Sequence, residues 1–203
     1  MLDTIYRQFL SLDWMEATGL VTGLLCVWLL IRQNIWTWPL GLIYALVSVV
    51  VFWRAHLYAD LGLHLFYVAM NIYGWYYWLR GGENLEAEEE LPVTHVTPSI
   101  ALLLAVISVT GIWAMGYSFA NYTDASLPYW DSATTVMSLV AMWMTARKEL
   151  ESWYVWLVVD FLATAIYLYK GLEFYAVLYS VYIGMAFAGW WAWRQSMLVL
   201  RTI

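Results

Sequence analysis

Seven long apolar runs, each almost free of charge, constrain this chain more than any other feature. They fall at about 14–31, 36–54, 57–79, 98–118, 130–146, 152–169 and 172–193. A bilayer core needs roughly 20 apolar residues per helix, and each run is of that order. Only 12% of the 203 residues are charged, and 64% are hydrophobic, whereas a soluble domain carries about 25% charged residues. So little charge cannot cover a water-facing surface, and so much apolar content excludes a disordered chain. Lipid offers no partner to a bare backbone N–H or C=O, so the runs are helices or strands of a closed barrel. Barrel strands are about 10 residues of alternating polarity; these runs are longer and do not alternate. The expectation is an all-α integral membrane protein of seven transmembrane helices in one domain.

The punctuation between runs adds orientation. Arg32, Gln33 and Asn34 separate the first two helices, and Pro128 precedes the fifth. The polar segment 80–97 carries Glu83, Glu86, Glu88, Glu89 and Glu90, supplies much of the net charge of -6, and reads as a solvated linker. Arg7, Arg54 and Lys170 fall on the side of the N-terminus. Arg32, Arg80, Arg147, Lys148, Arg194 and Arg201 fall on the other, which places the C-terminus in the cytoplasm and the N-terminus outside. No cleavable signal is recognisable at the start. The single cysteine, Cys26, has no partner for an internal disulfide and reads as lipid- or core-facing.

Helices 1–3 and 5–7 look like copies. A shift of 115 places Glu16 on Asp131, Trp28 on Trp143, Arg32 on Arg147 and Tyr67 on Tyr182, and then Gly74, Trp75 and Trp78 on Gly189, Trp190 and Trp193. The run 57–79 aligns with 172–194 without a gap, and an insertion near Trp153, compensated before Leu172, is expected to break the register. Three helices per copy reverse direction, and helix 4 restores it. The arrangement is 3+1+3 parallel repeats about an axis along the membrane normal: repeat 1 at about 14–80, linker and helix 4 at about 81–120, repeat 2 at about 130–195. Parallel repeats with a substrate site between them are one transporter design.

An ionisable group inside a membrane helix is costly and marks function by default. Asp160 lies near the middle of helix 6. Trp153, Trp156, Asp160, Thr164 and Tyr167 share a sector of about 60° at 100° per residue. Two large rings, a carboxylate and hydroxyls suit a flat, cationic, hydrogen-bonding solute. The other reading makes Asp160 a hydrogen-bonding residue between helices. Helix 3 presents Asp60, His64, Tyr67 and Asn71, opposite Tyr175, Tyr179, Tyr182 and Ala186 of the second copy. Buried His64 and Asn71 need partners, from the solute or from neighbouring helices. Trp75, Trp78, Trp190, Trp191 and Trp193 read as an interfacial belt, which accounts for much of the 19% aromatic content. Thr134, Thr135, Ser138 and Thr145 read as helix-packing hydroxyls, Asp131 as a dipole partner at the start of helix 5, and Gly19 and Gly23 as a close-packing stripe. No catalytic constellation, metal-ligand spacing, phosphate loop or nucleic-acid patch is present. The chain is expected to be no enzyme and to need no cofactor.

Taken together these segments resemble the Pnu family of bacterial vitamin transporters over nearly the whole chain. The likeness rests on Trp14-Met15-Glu16-Ala17, Asn34-Ile35-Trp36-Thr37-Trp38-Pro39, Leu57-Tyr58-Ala59-Asp60 and Ile72-Tyr73-Gly74-Trp75. It continues in Pro128-Tyr129-Trp130-Asp131-Ser132 and Glu151-Ser152-Trp153-Tyr154-Val155-Trp156. Its most specific element is Trp-x-x-Trp-x-x-x-Asn/Asp, here Trp153, Trp156 and Asp160. The resemblance implies a fold similar to the SWEET sugar exporters, a homotrimer in the plasma membrane, and facilitated diffusion of a vitamin trapped inside by a cytoplasmic kinase. It implies substrate binding at Trp153, Trp156 and Asp160. With the helix faces read above, the candidate site is Trp153, Trp156, Asp160, His64, Tyr67, Asn71, Thr164 and Tyr182. Family members often carry Gln at the position of His64, and Asn as well as Asp at that of Asp160. Nicotinamide riboside and thiamine, both flat cations, therefore stay open as the solute. A membrane sensor or scaffold without flux, and a proton-coupled carrier, are the rival classes.

Overall fold

Each apolar run ends where the chain supplies a residue that can turn it. Gln33, His56, Lys148 and Gly171 hold left-handed φ angles of 54°, 58°, 59° and 71° and close the helices before them. Pro98 and Pro128 stand in the first turns that follow loops, where a missing N–H costs nothing. A computed structural model describes residues 14–54, 56, 58–80 and 91–200. Seven helices lie among them: α1 (Trp14–Ile31), α2 (Thr37–Arg54), α3 (Tyr58–Leu79), α4 (Pro98–Tyr122), α5 (Pro128–Ala146), α6 (Ser152–Tyr169) and α7 (Glu173–Leu200). The acidic run 83–90, Arg7 and Arg201 lie outside the described residues, as do the side chains of Glu16 and Asp60. α7 continues past the expected end near 193, since Gln195 and Ser196 bring no breaker.

Contacts order six of these helices into a closed ring. α1 touches α2 and α7; α3 touches α2 and α5; α6 touches α5 and α7. α4 touches α5 alone, and Gly116 is its one buried residue. Four helices, α2, α4, α6 and α7, are long and apolar enough by themselves to cross a membrane. α3 and α5 carry His64, Asn71, Ser132, Ser138 and Thr145, all buried. Those polar groups turn away from lipid, so the two helices look less apolar than their surroundings require.

The two halves of the ring share one numbering offset. α2 and α6 begin and end 115 residues apart, and the left-handed pairs Gln33/Lys148 and His56/Gly171 keep the same interval. No insertion separates the two segments near Trp153, contrary to the sequence expectation: Trp38 and Trp153 themselves stand 115 residues apart. The two joints between halves, α3–α5 and α7–α1, exchange under this offset.

Four tryptophans close the arginine-rich end of the ring. Trp38 lies over Gly74 and Trp153 over Gly189, where any Cβ would overlap the indole. Trp38 meets Trp78 edge-on at 5.3 Å, and Trp153 meets Trp193 edge-on at the same 5.3 Å. Trp78 and Trp193 join the two pairs at 6.2 Å. Trp78 and Trp193 are therefore core residues and not part of an interfacial belt, whereas Trp191 of that group is 58% exposed. The spacing of tryptophans along a helix does not distinguish the two; the neighbouring glycine does.

The segment 91–97 straps the loop between α5 and α6. Thr94 N donates to Lys148 O (3.1 Å) and Leu150 N to Thr94 O (2.9 Å). The Glu151 carboxylate contacts His95 Nδ1 at 2.6 Å and accepts from Val96 N at 2.9 Å. Leu91 and Val93 are buried in the tryptophan cluster. Glu149 is buried there with Oε2 unpartnered among the described residues. Burial pushes its carboxyl up to about 7, opposed by Arg147 and reinforced by Glu151.

Two outcomes follow from this packing. Gly74→Ala and Gly189→Ala should each destabilise by about 1–3 kcal/mol through overpacking, while Gly184→Ala, with open space around it, should not; unfolding midpoints in detergent compare them. Because Glu149 titrates higher in the folded state, its contribution is full below the unfolded value of 4.5 and is lost as pH rises through about 7. Glu149→Gln should flatten that interval and raise the unfolding midpoint at pH 8.

Candidate functional site

Above the tryptophan cluster the described lining of the ring interior combines the Asp160 carboxylate with a set of aromatic rings. Asp160, on the inner face of α6, is 6% exposed and its carboxylate makes no hydrogen bond among the described residues. Thr164, one turn on, bonds the Asp160 backbone carbonyl at 2.7 Å, which leaves the side chain uncommitted. One turn the other way, Trp156 Nε1 donates to Thr145 Oγ1 of α5 at 3.0 Å, fixing that indole between the carboxylate and the closed end.

The opposite wall belongs to α2 and α3. The buried His64 ring lies 4.8 Å from Phe52, 5.4 Å from Tyr67 and 6.0 Å from Tyr44. The Tyr67 hydroxyl approaches Ser138 of α5, and Tyr44 approaches Ser48 one turn along α2. From α7, the Tyr179 ring lies tilted 5.1 Å from that of Tyr167 and meets Tyr182 edge-on at 5.6 Å. The phenols of Tyr44, Tyr67, Tyr179 and Tyr182 are near enough to act on one another electrostatically, and Tyr182 also feels Asp160. Tyr182 reaches Gly23 of α1, as Tyr67 reaches Ser138; the offset of 115 carries one pair onto the other.

Of the residues anticipated from sequence, Asp160, His64, Tyr67 and Tyr182 converge here, with Trp156 and Thr164 one turn to either side of Asp160. Asn71 lies lower: its Nδ2 donates to Tyr67 O (2.8 Å) and its Oδ1 rests on Gly41. At the equivalent positions of the second half stand Trp156 and Ala186, so bulk and gap are exchanged between halves. Trp153, 1% exposed, sits in the closed cluster on Gly189 and Trp193, apart from the carboxylate. Tyr44 and Tyr179, outside the candidate set, lie beside His64 and Tyr182. Tyr179 is the repeat partner of His64. Tyr44 adjoins a stripe of buried small and polar residues on α2, Thr37, Gly41, Ala45 and Ser48, which shows that this face looks inward.

A carboxylate with no ion pair among the described residues, in a ring lined by phenols, an imidazole and an indole, can attract a flat cation: rings supply polarisable faces and hydroxyls supply directed bonds. No three His, Cys, Asp or Glu side chains converge as metal ligands among the described residues.

Residues 13–195 match the family described as nicotinamide mononucleotide transporter. The chain is 28% identical to the nicotinamide riboside transporter PnuC of Escherichia coli (strain K12), over 92% of this chain and 87% of that one. It is 29% identical to the riboflavin/roseoflavin transporter RibM of Streptomyces davaonensis, over 93% and 90%. The crystal structure of the vitamin B3 transporter PnuC superposes with a TM-score of 0.72 at 25% identity, covering 96% of this chain and 86% of that one.

The contact at the α7–α1 joint is open to a steric test. A Cβ at Gly23 would lie 2.8 Å from the Tyr182 hydroxyl, so Gly23→Ala should displace that ring and lower the unfolding midpoint slightly. Adding Tyr182→Phe should recover the loss, and a double-mutant cycle showing simple additivity would contradict the contact.

Proposed function

We propose that this chain, which belongs to the nicotinamide mononucleotide transporter family, is a multi-pass carrier that moves nicotinamide riboside across the plasma membrane by facilitated diffusion. The observation that carries the reading is Asp160, a buried carboxylate that makes no ion pair or hydrogen bond among the described residues and lies near aromatic side chains. The nicotinamide ring of this solute is a flat pyridinium cation, and its ribose hydroxyls match the phenols of Tyr44, Tyr67, Tyr179 and Tyr182. Asp160 balances the charge, Trp156 and His64 bound the ring, and Thr164 shapes the carboxylate's turn. Trp153 and Asn71 support the site from the closed end. Riboflavin, which the Streptomyces relative's name indicates, has no fixed positive charge to set against Asp160. Thiamine does, and it is the second reading.

The rest of the proposal concerns arrangement. The common offset of 115 supports parallel repeats in a 3+1+3, SWEET-like order about an axis along the membrane normal. The arginine-rich end faces the cytoplasm and the N-terminus lies outside, by the distribution of Lys and Arg. The protein assembles as a homotrimer, as the resemblance implies. An uncoupled carrier only equilibrates its solute, so accumulation falls to a cytoplasmic vitamin kinase.

Purified protein in liposomes should take up radiolabelled nicotinamide riboside without ATP or an ion gradient. Uptake of neither this solute nor thiamine would sink the reading, and uptake driven above equilibrium by a proton gradient would replace it with coupled transport. Asp160→Asn keeps the shape and removes the charge; it should weaken binding at least about tenfold, the order expected for a lost charge partner, while leaving a folded protein.

A further inference from the structure

The end closed by tryptophans is crossed by two joints between the halves, and they are built differently. At the α3–α5 joint Trp78 Nε1 donates to Ala146 O at 3.1 Å. The Lys148 ammonium stands 4.7 Å over the same indole and donates to Leu91 O of the strap at 2.6 Å. The Arg147 guanidinium lies 5.1 Å from the Tyr77 ring and 5.4 Å from the Trp143 ring, and reaches the Tyr73 hydroxyl. At the α7–α1 joint Trp193 Nε1 donates to Leu30 O at 3.0 Å. There Gln33 takes the place of Lys148 and makes a neutral bond, Nε2 to Ser196 Oγ at 2.9 Å. Tyr73 and Tyr77 are replaced by Ala188 and Ala192, and Arg32 lies over Trp28 of its own helix.

A cation held over a ring away from water, as the buried Lys148 is, binds more firmly than a neutral amide–hydroxyl pair. The symmetric tryptophan chain is therefore clamped on one side by buried Lys148, the half-buried Arg147 and a strap, and on the other, among the described residues, by neutral hydrogen bonds. We propose that this end opens along the α7–α1 joint alone, and that Lys148 and Arg147 are positioning residues that keep the α3–α5 joint closed throughout the transport cycle. Opening admits water to Trp38 Nε1, Trp153 Nε1 and Ser152 Oγ, which are buried without partners among the described residues. That hydration offsets part of the lost ring contact. The proposal rests on the reading of the chain as a carrier, not on which solute it carries.

Paired cysteines in a Cys26→Ser background test it, each pair linked by a short bifunctional methanethiosulfonate. Linking Gln33→Cys to Ser196→Cys should abolish solute flux, and reduction should restore it. Linking Tyr77→Cys to Trp143→Cys puts a covalent bond where the clamp was and should leave flux unchanged. In the first linked pair, Lys148→Gln should restore part of the flux by loosening the other joint, while Lys148→Arg should not. Both links blocking, neither blocking, or only the α3–α5 link blocking overturns the proposal. Hydrogen exchange on the unmodified protein needs neither solute nor variant. The last turns of α1 and α7 should exchange faster than those of α3 and α5, and equal or inverted protection also overturns it. Absence of flux before cross-linking counts against the transport reading, and the exchange measurement still decides the joint.

Discussion

A hydroxyl, imidazole or carboxylate placed against acyl chains loses its water and finds no partner in return. The polar residues of α3, α5 and α6 consequently turn towards one another, and the helices that bear them close into a ring. His64, Asn71, Ser138, Thr145 and Asp160 are buried for that reason. Most then satisfy each other or the backbone, as Asn71 does on Tyr67 O and Trp156 on Thr145. The Asp160 carboxylate makes no hydrogen bond among the described residues, and a buried ionisable group in a membrane helix is a candidate for function.

The two halves share one residue offset, and departures from it make their inner faces unlike. Glycine meets indole at Gly74/Trp38 and again at Gly189/Trp153. Between these fixed points the halves differ. Ala45 is matched by Asp160, Gly41 by Trp156 and Asn71 by Ala186. One half thus supplies the carboxylate and the large ring, and the other an amide and the imidazole of His64. A symmetric ring would present the same groups twice, whereas a solute with one charged end and one hydroxylated end needs two unlike walls.

The site and the closed end are joined through α6 and α7. Trp156 lies between Asp160 and the tryptophan cluster, and α7 carries both Tyr182 and Trp193. Tyr182 meets α1 at Gly23 and Trp193 meets it at Leu30. One helix, α7, thus has a contact with α1 at the level of Asp160 and another at the closed end.

The sequence by itself determined the helices and the offset of 115 over most of its length, and singled out Asp160 as a candidate. Each depends on local apolar length, on linear spacing, or on the cost of a charge in lipid. The bounds of α1 and α6 agree to the residue with the apolar runs, since a bilayer enforces length. The roles of the tryptophans depended on tertiary structure. Trp78, Trp191 and Trp193 share the same end of their helices, yet two are buried and one faces outward. Tyr44 and Tyr179 stand beside His64 and Tyr182, and Trp153 joins the closed end, because of what stands opposite them. Helical periodicity assigns a side chain to a face; only the packed helices decide whether that face meets lipid, a glycine or an open carboxylate.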